Sequence, residues 1–68
     1  MGITIGQRVQ VVDADKEERL DDGTVVGTMA CGPSEETPLV RLDHAHMVGK
    51  QLRDYVCGTD PVLFIPKN

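Results

Sequence analysis

Apolar and polar side chains alternate along the first part of the chain. The odd positions carry the apolar residues Ile3, Ile5, Val9 and Val11, and polar residues stand between several of them. Because successive side chains of a β-strand point to opposite faces, this period of two predicts a strand with one buried face. The alternation is interrupted at Gly6-Gln7.

Four more segments with strand character follow, and turn signals separate them. These are TVVGTMA after Asp22-Gly23, PLVRLD after a Pro-rich break, residues 51–57 after a loop, and VLFIP before Pro66. A helix is the alternative for the fourth segment, but Gly49 interrupts it; its apolar face would carry Met47, Val48, Leu52, Tyr55 and Val56. Five short strands at this spacing predict an all-β domain, a small barrel or sandwich, that spans residues 1–68.

The order of motifs in the N-terminal half is GQRVQVVD, an acidic loop, DGTVVG and then PLVRLD, over residues 6–43. This half resembles the start of SH3-like barrels, including KOW-type domains. In those domains a GxxV strand leads to a variable loop, and a GxVxG strand precedes a strand that ends in an acid. The resemblance implies a five-stranded SH3-like barrel, with VLFIP as a compatible closing strand.

The apolar content is small for an independent domain. The chain has 68 residues, no Trp, and only Tyr55 and Phe64 as aromatics. Domains of this size often need a metal, a disulfide or a partner subunit to be stable. The four residues 62–65 are all apolar, so both faces of the last strand are apolar. We therefore expect self-association, as a homodimer, with Val62 and Phe64 in the interface.

The acidic residues are concentrated in one segment. Residues 13–22 hold six acids and two bases, which accounts for the whole net charge of −4. An acidic loop at the rim of a barrel would attract a basic protein partner. We expect the contact residues to be Asp13, Asp15, Glu17, Glu18 and Tyr55. Tyr55 has an alternative interpretation as a partly buried core tyrosine.

Nucleic-acid binding is a second hypothesis, as an accessory domain of the KOW or SH3-like type. It requires a basic face that neutralises phosphates. The bases outside the acidic segment are scattered in the sequence and number five: Arg8, Arg41, Lys50, Arg53 and Lys67. A nucleic-acid partner is therefore not expected unless these side chains converge.

A metal site is a third hypothesis. Cys31, His44, His46 and Cys57 supply two thiols and two imidazoles, which suit tetrahedral zinc. His44 and His46 would share one face of a strand. However, the spacing matches no standard zinc finger and contains no CxxC knuckle. The simpler interpretation is two small apolar cysteines and two surface histidines, so we expect no metal and no cofactor.

The sequence carries no catalytic signature. It has no Gly-rich phosphate loop, and its one serine, Ser34, lies in a loop rich in Pro and Glu. The N-terminus lacks the pattern of a signal peptide, and no apolar run is long enough to span a bilayer. We therefore expect a small, cytoplasmic, non-catalytic accessory protein that works as a protein-interaction module.

Overall fold

The computed structural model describes residues 4–33 and 35–67, which form one antiparallel sheet of five strands. The strands are β1 (Arg8–Asp13), β2 (Glu18–Gly32), β3 (Glu35–Val48), β4 (Gln51–Cys57) and β5 (Val62–Pro66). Their order in the sheet is β4-β3-β2-β1-β5. The prediction of an all-β fold with five strands is confirmed. Ile3, at the start of the first predicted alternation, lies outside the described residues.

The acidic segment is mostly strand, although the sequence predicted a loop over residues 13–22. Only residues 14–17 form a turn, and β2 begins at Glu18. The turn is short because the Asp13 carboxylate accepts hydrogen bonds from the backbone N–H groups of Asp15 and Lys16. The chain can then pair with β1 at once. Asp22-Gly23, predicted as a turn, therefore lies inside β2.

β3 is also longer than predicted. It continues through His44 and His46 to Val48, where a loop was expected, and the turn to β4 is confined to residues 49–50. Gly49 adopts a positive φ of 64°, a conformation that glycine reaches without steric cost. A two-residue connection of this kind joins antiparallel strands directly.

Each of the five strands contributes to a single apolar cluster. Its buried members are Val9, Val11, Val25, Val40, Leu42, Val48 and Val56, with Leu20, Val62 and Phe64 packed against them. One sheet can cover its own inner face only if it curves strongly. The radius of gyration, 11.2 Å, is that of a compact domain, which has about 11 Å at this length.

The sheet is not closed by backbone hydrogen bonds. Within the described residues, β4 pairs only with β3, and β5 pairs only with β1. The observed fold is therefore five antiparallel strands in one curved sheet. Closure of this sheet into a barrel is not observed in the described residues. No helix in the described part of the chain is long and apolar enough to cross a membrane.

β3 separates locally from β4. Arg41 pairs with Tyr55, but the next paired residue, His46, faces Arg53, so residues 42–45 lie opposite Asp54 alone. An excess of residues on one strand of a pair bends that strand and changes the direction of its side chains. This irregularity places two histidines of β3 near the start of β2.

Candidate functional site

Asp21 of β2 lies within hydrogen-bond distance of two histidines of β3. Its Oδ2 atom is 2.9 Å from His46 Nε2 and 3.3 Å from His44 Nδ1. One ligand atom from each of the three residues lies within 4.8 Å of the other two. We call these three residues the Asp-His-His cluster.

Strand periodicity positions the three side chains. Asp21 lies in the same alternating row of β2 as Gly23 and Val25, and His44 continues the row of β3 that carries Val40 and Leu42. The buried members of these rows face the core, whereas the His44 side chain is exposed. The Asp-His-His cluster therefore stands at the point where the inner face passes from apolar core to polar side chains.

The Asp21 carboxylate also accepts a hydrogen bond from β3 at a point where the backbone pairing of β2 and β3 has ended. The β2–β3 register ends at the pair Gly23 and Leu42. Just beyond it, the backbone N–H of His44 donates to Asp21 Oδ2 at 2.8 Å. The other carboxylate oxygen accepts from the backbone N–H of Asp22 at 2.8 Å. The carboxylate is thus held in a fixed orientation by two strands.

Asp21 is buried and ionised. Burial by itself would raise the pKa of this carboxyl, but the hydrogen bonds from His46, from the Asp22 N–H and from His44 outweigh it and lower the pKa to about 2. A hydrogen bond to the charged form of an acid has this effect because it stabilises the anion.

The two neighbouring acids have a different kind of partner. Asp43 forms a bidentate pair with Arg8, at 2.8 and 2.7 Å. Asp22 is paired with Lys67 at 2.6 Å and with Arg19 at 3.0 Å. Both acids are therefore balanced by permanently charged side chains. Among the described residues, the ion-pair partners of Asp21 are the two imidazoles.

The structure brings together only part of the predicted metal set. His44 and His46 converge, whereas Cys57 is buried elsewhere, with its thiol 3.0 Å from Thr59 Oγ1. The side chain of Cys31 lies outside what the structure describes. The residue that joins the histidines is Asp21, which the sequence placed in the acidic segment and not with the histidines. Its signal is an acid at an inward position of β2, visible only once β2 is known to begin at Glu18.

The predicted contact acids of the first turn have two different roles. Asp13 holds the turn through its hydrogen bonds to Asp15 and Lys16, whereas the side chains of Asp15, Glu17 and Glu18 are exposed. No ion pair involves these three carboxylates within the described residues. Glu17 has a positive φ of 56°, and its N–H donates to the Asp13 carbonyl at 2.7 Å. We call Asp15, Glu17 and Glu18 the acidic tip.

Tyr55 and the last strand complete the predicted site residues. Tyr55 is exposed, and the Arg53 guanidinium lies 5.0 Å from the centre of its ring. Val62 and Phe64 pack inward against the core, while Leu63 and Ile65 of the same strand are exposed. The predicted roles of Tyr55 in recognition and of Val62 and Phe64 in an interface stay predictions.

The described residues enclose no pocket. Comparison with known proteins gives no match to a family model, to a curated protein or to a solved structure.

Proposed function

We propose that this chain is a small protein-interaction domain that binds a basic partner through its acidic tip. The observation that carries the proposal is a set of carboxylates without compensating cations on a tightly fixed turn. Asp15, Glu17 and Glu18 have no ion-pair partner in the described part of the chain, whereas Asp22, Asp43, Asp54 and Asp60 are each paired with Arg or Lys.

The fixed turn favours binding. The Asp13 carboxylate and the Asp13 carbonyl together accept three backbone N–H groups of the turn, from Asp15, Lys16 and Glu17. A surface that is already ordered loses little conformational entropy when a partner docks. A cluster of like charge also accelerates the encounter with a partner of opposite charge. The partner chemistry that fits is a Lys- or Arg-rich protein segment.

The nucleic-acid alternative has less support. Of the five bases it would use, Arg8, Arg53 and Lys67 are each within 2.8 Å of an aspartate, and Arg41 lies 3.9 Å from Asp54. Bases already paired with carboxylates cannot release counterions from phosphates without breaking those pairs. The same pairs reduce the net positive field at the surface.

We infer that the curved sheet is an SH3-like barrel that closes by side-chain packing. Support comes from the strand order, in which β5 lies against β1 at one edge and β4 lies at the other. It also comes from the common apolar cluster, to which both edge strands contribute. Self-association, as a homodimer, is part of the same proposal. The exposed residues Leu63 and Ile65 on edge strand β5 are its support.

The test is binding of a Lys-rich peptide, followed by NMR chemical shifts and by calorimetry in low and high salt. The triple variant Asp15→Asn, Glu17→Gln and Glu18→Gln should abolish binding and keep the fold. We expect the shifts of the wild-type chain to centre on residues 14–19 and to weaken with salt, because surface charges are screened.

The matched control neutralises three other acids, with Glu35→Gln, Glu36→Gln and Asp54→Asn. It changes the net charge of the chain by the same amount at exposed positions of β3 and β4. Binding kept by this control supports recognition by the acidic tip. Equal loss in both triple variants, or shifts centred elsewhere, means that only overall charge matters and overturns the proposal.

A further inference from the structure

We infer that Asp21, His44 and His46 form a binding site for a divalent transition-metal ion, with one ligand atom from each residue. The site differs from the set of two cysteines and two histidines that the sequence suggested. It is also separate from the acidic tip, so the failure of one proposal would not affect the other.

The three ligand atoms are close enough to share one ion, although the two measured distances are also those of hydrogen bonds. Zinc binds His nitrogen and carboxylate oxygen at about 2.0–2.1 Å, which sets the ligand atoms of a tetrahedral ion about 3.3 Å apart. Asp21 Oδ2 lies 3.3 Å from His44 Nδ1 and 2.9 Å from His46 Nε2. The third separation, between the two imidazole nitrogens, is within 4.8 Å. The separation between Asp21 Oδ2 and His46 Nε2 is shorter than this spacing, so binding of an ion requires these two side chains to move slightly apart.

Asp21 Oδ2 is surrounded by more nitrogen atoms than it can accept hydrogen bonds from. Three nitrogen atoms lie within 3.3 Å of this one oxygen: His44 N, His44 Nδ1 and His46 Nε2. A carboxylate oxygen offers about two lone pairs. Since the backbone N–H of His44 already uses one, the two imidazoles compete for the other. An ion between the imidazoles and the carboxylate removes this competition.

The charge of Asp21 also calls for a cation. Buried charges in proteins are paired with an opposite charge or coordinate a metal. Asp22 and Asp43 each have an Arg or Lys partner, whereas the partners of Asp21 are two imidazoles, which are also metal ligands. A divalent ion held by the three side chains would give the Asp21 carboxylate a full positive charge as its partner.

The ligand types select the class of ion. Imidazole with carboxylate suits zinc, nickel, copper, cobalt and ferrous iron, whereas calcium and magnesium prefer oxygen ligands alone. Three protein ligands leave at least one coordination position for water. His44 stands on the open side of the site, because its side chain is 78% exposed.

The first test is calorimetric titration of the full chain with ZnCl₂, using protein purified without a histidine tag. We expect one equivalent to bind to the wild type. His44→Gln and His46→Gln should weaken the affinity by more than about tenfold, since even the loss of an outer-shell partner costs that much. Asp54→Asn is the matched control and should bind as the wild type does.

His44→Gln is the decisive variant because it should disturb the fold less than a change at Asp21 or His46. Its exposed side chain makes one polar contact, at 3.3 Å, whereas Asp21 is buried and holds two strands together. Thermal denaturation gives a second readout. The Tm of the wild type should rise with zinc concentration, because a ligand that binds only the folded state stabilises it, and the Tm of His44→Gln should not.

Imidazole ¹⁵N shifts identify the ligand atoms. On addition of zinc, the resonances of His44 Nδ1 and His46 Nε2 should move, while the other nitrogen of each ring stays protonated. Cobalt spectra detect a thiolate ligand, if Cys31 or Cys57 is the true site. Absence of binding at millimolar zinc, affinity unchanged in His44→Gln, or a sulfur-to-cobalt charge-transfer band each overturns the inference.

Discussion

Arg53 and Asp60 form an ion pair that joins β4 to the connection that follows it. Arg53 Nη2 lies 2.7 Å from Asp60 Oδ1, and both side chains are only 17% exposed. The second oxygen of the same carboxylate accepts the backbone N–H of Cys57 at 2.9 Å. One acid thus holds the end of β4 and the turn before β5, and this turn positions the edge strand.

This pair predicts an acid-dependent loss of stability. Burial raises the pKa of Asp60, but the hydrogen bonds from Arg53 and from the Cys57 N–H outweigh it, and the pKa is lowered from its ordinary value of 3.8. A lowered pKa in the folded state stabilises the fold above the unfolded-state value and loses this effect as the pH falls through the folded-state value. Asp60→Asn should cost about 1–3 kcal/mol of unfolding free energy at neutral pH.

The measurement is urea denaturation of wild type and Asp60→Asn, from neutral pH down to the acid midpoint. The difference in unfolding free energy should be constant at neutral pH and should narrow below about pH 4, where the wild-type carboxyl begins to be protonated in the unfolded state. If the difference in unfolding free energy between the two proteins does not change with pH, the charge of the Asp60 carboxylate does not contribute to stability.

A second prediction concerns close backbone approach at Gly23. A Cβ atom there would lie 2.6 Å from the Arg41 carbonyl oxygen and 2.6 Å from Val40 Cγ1. Because one of these is backbone and the other is a buried β-branched side chain, neither yields easily. Gly23→Ala should destabilise the domain by about 1–3 kcal/mol, the usual cost of overpacking.

Gly27→Ala is the control for Gly23→Ala. It lies in the same strand, and a Cβ atom at this position meets nothing within 4 Å. Its effect on the unfolding free energy should be small or stabilising, because alanine reduces the entropy of the unfolded chain. Urea denaturation of both variants checks the contrast, and equal effects at Gly23 and Gly27 would contradict it.

The alternation of apolar residues was enough to predict an all-β fold of five strands, because period two survives in β1 and in Val40 to Leu42 of β3. It did not predict where β2 begins. Acidic residues favour loops in general, but here the local hydrogen bonds of Asp13 shorten the turn, and the pairing of β2 with β1 and β3 places Asp21 on the inner face. His44 and His46 were recognised by residue type. Their carboxylate partner depends on the register of β2, which no local pattern encodes.

The backbone of the first turn gives a third prediction. Glu17 has a φ of 56°, a left-handed conformation that costs a residue with a Cβ roughly 1–2 kcal/mol, whereas glycine reaches it freely. Glycine also loses more conformational entropy on folding, which offsets part of this gain. Glu17→Gly should therefore raise the unfolding free energy by about 0.5–1 kcal/mol.

Glu18→Gly separates this effect from the loss of a charge. Glu18 is the next residue and is also an exposed acid, but it starts β2 and pairs with Asp13. Glycine in a strand is unfavourable, so this variant should lower the unfolding free energy by about 0.5–1 kcal/mol. Opposite signs for the two variants in urea denaturation confirm the backbone explanation. The same sign would indicate that charge dominates.

The last prediction tests self-association through the outer face of β5. Leu63 is 57% exposed on an edge strand, and edge strands with apolar side chains promote pairing between chains. If β5 is the interface, light scattering across a concentration series should give the mass of a dimer for the wild type and of a monomer for Leu63→Lys. Leu52→Lys, at a residue that is 68% exposed on β4, should leave the dimer intact.

A wild type that is monomeric at micromolar concentration, or a Leu63→Lys variant that remains dimeric, would exclude the outer face of β5 as the interface. Dissociation by Leu52→Lys alone would instead place the interface on β4, at the opposite edge of the sheet.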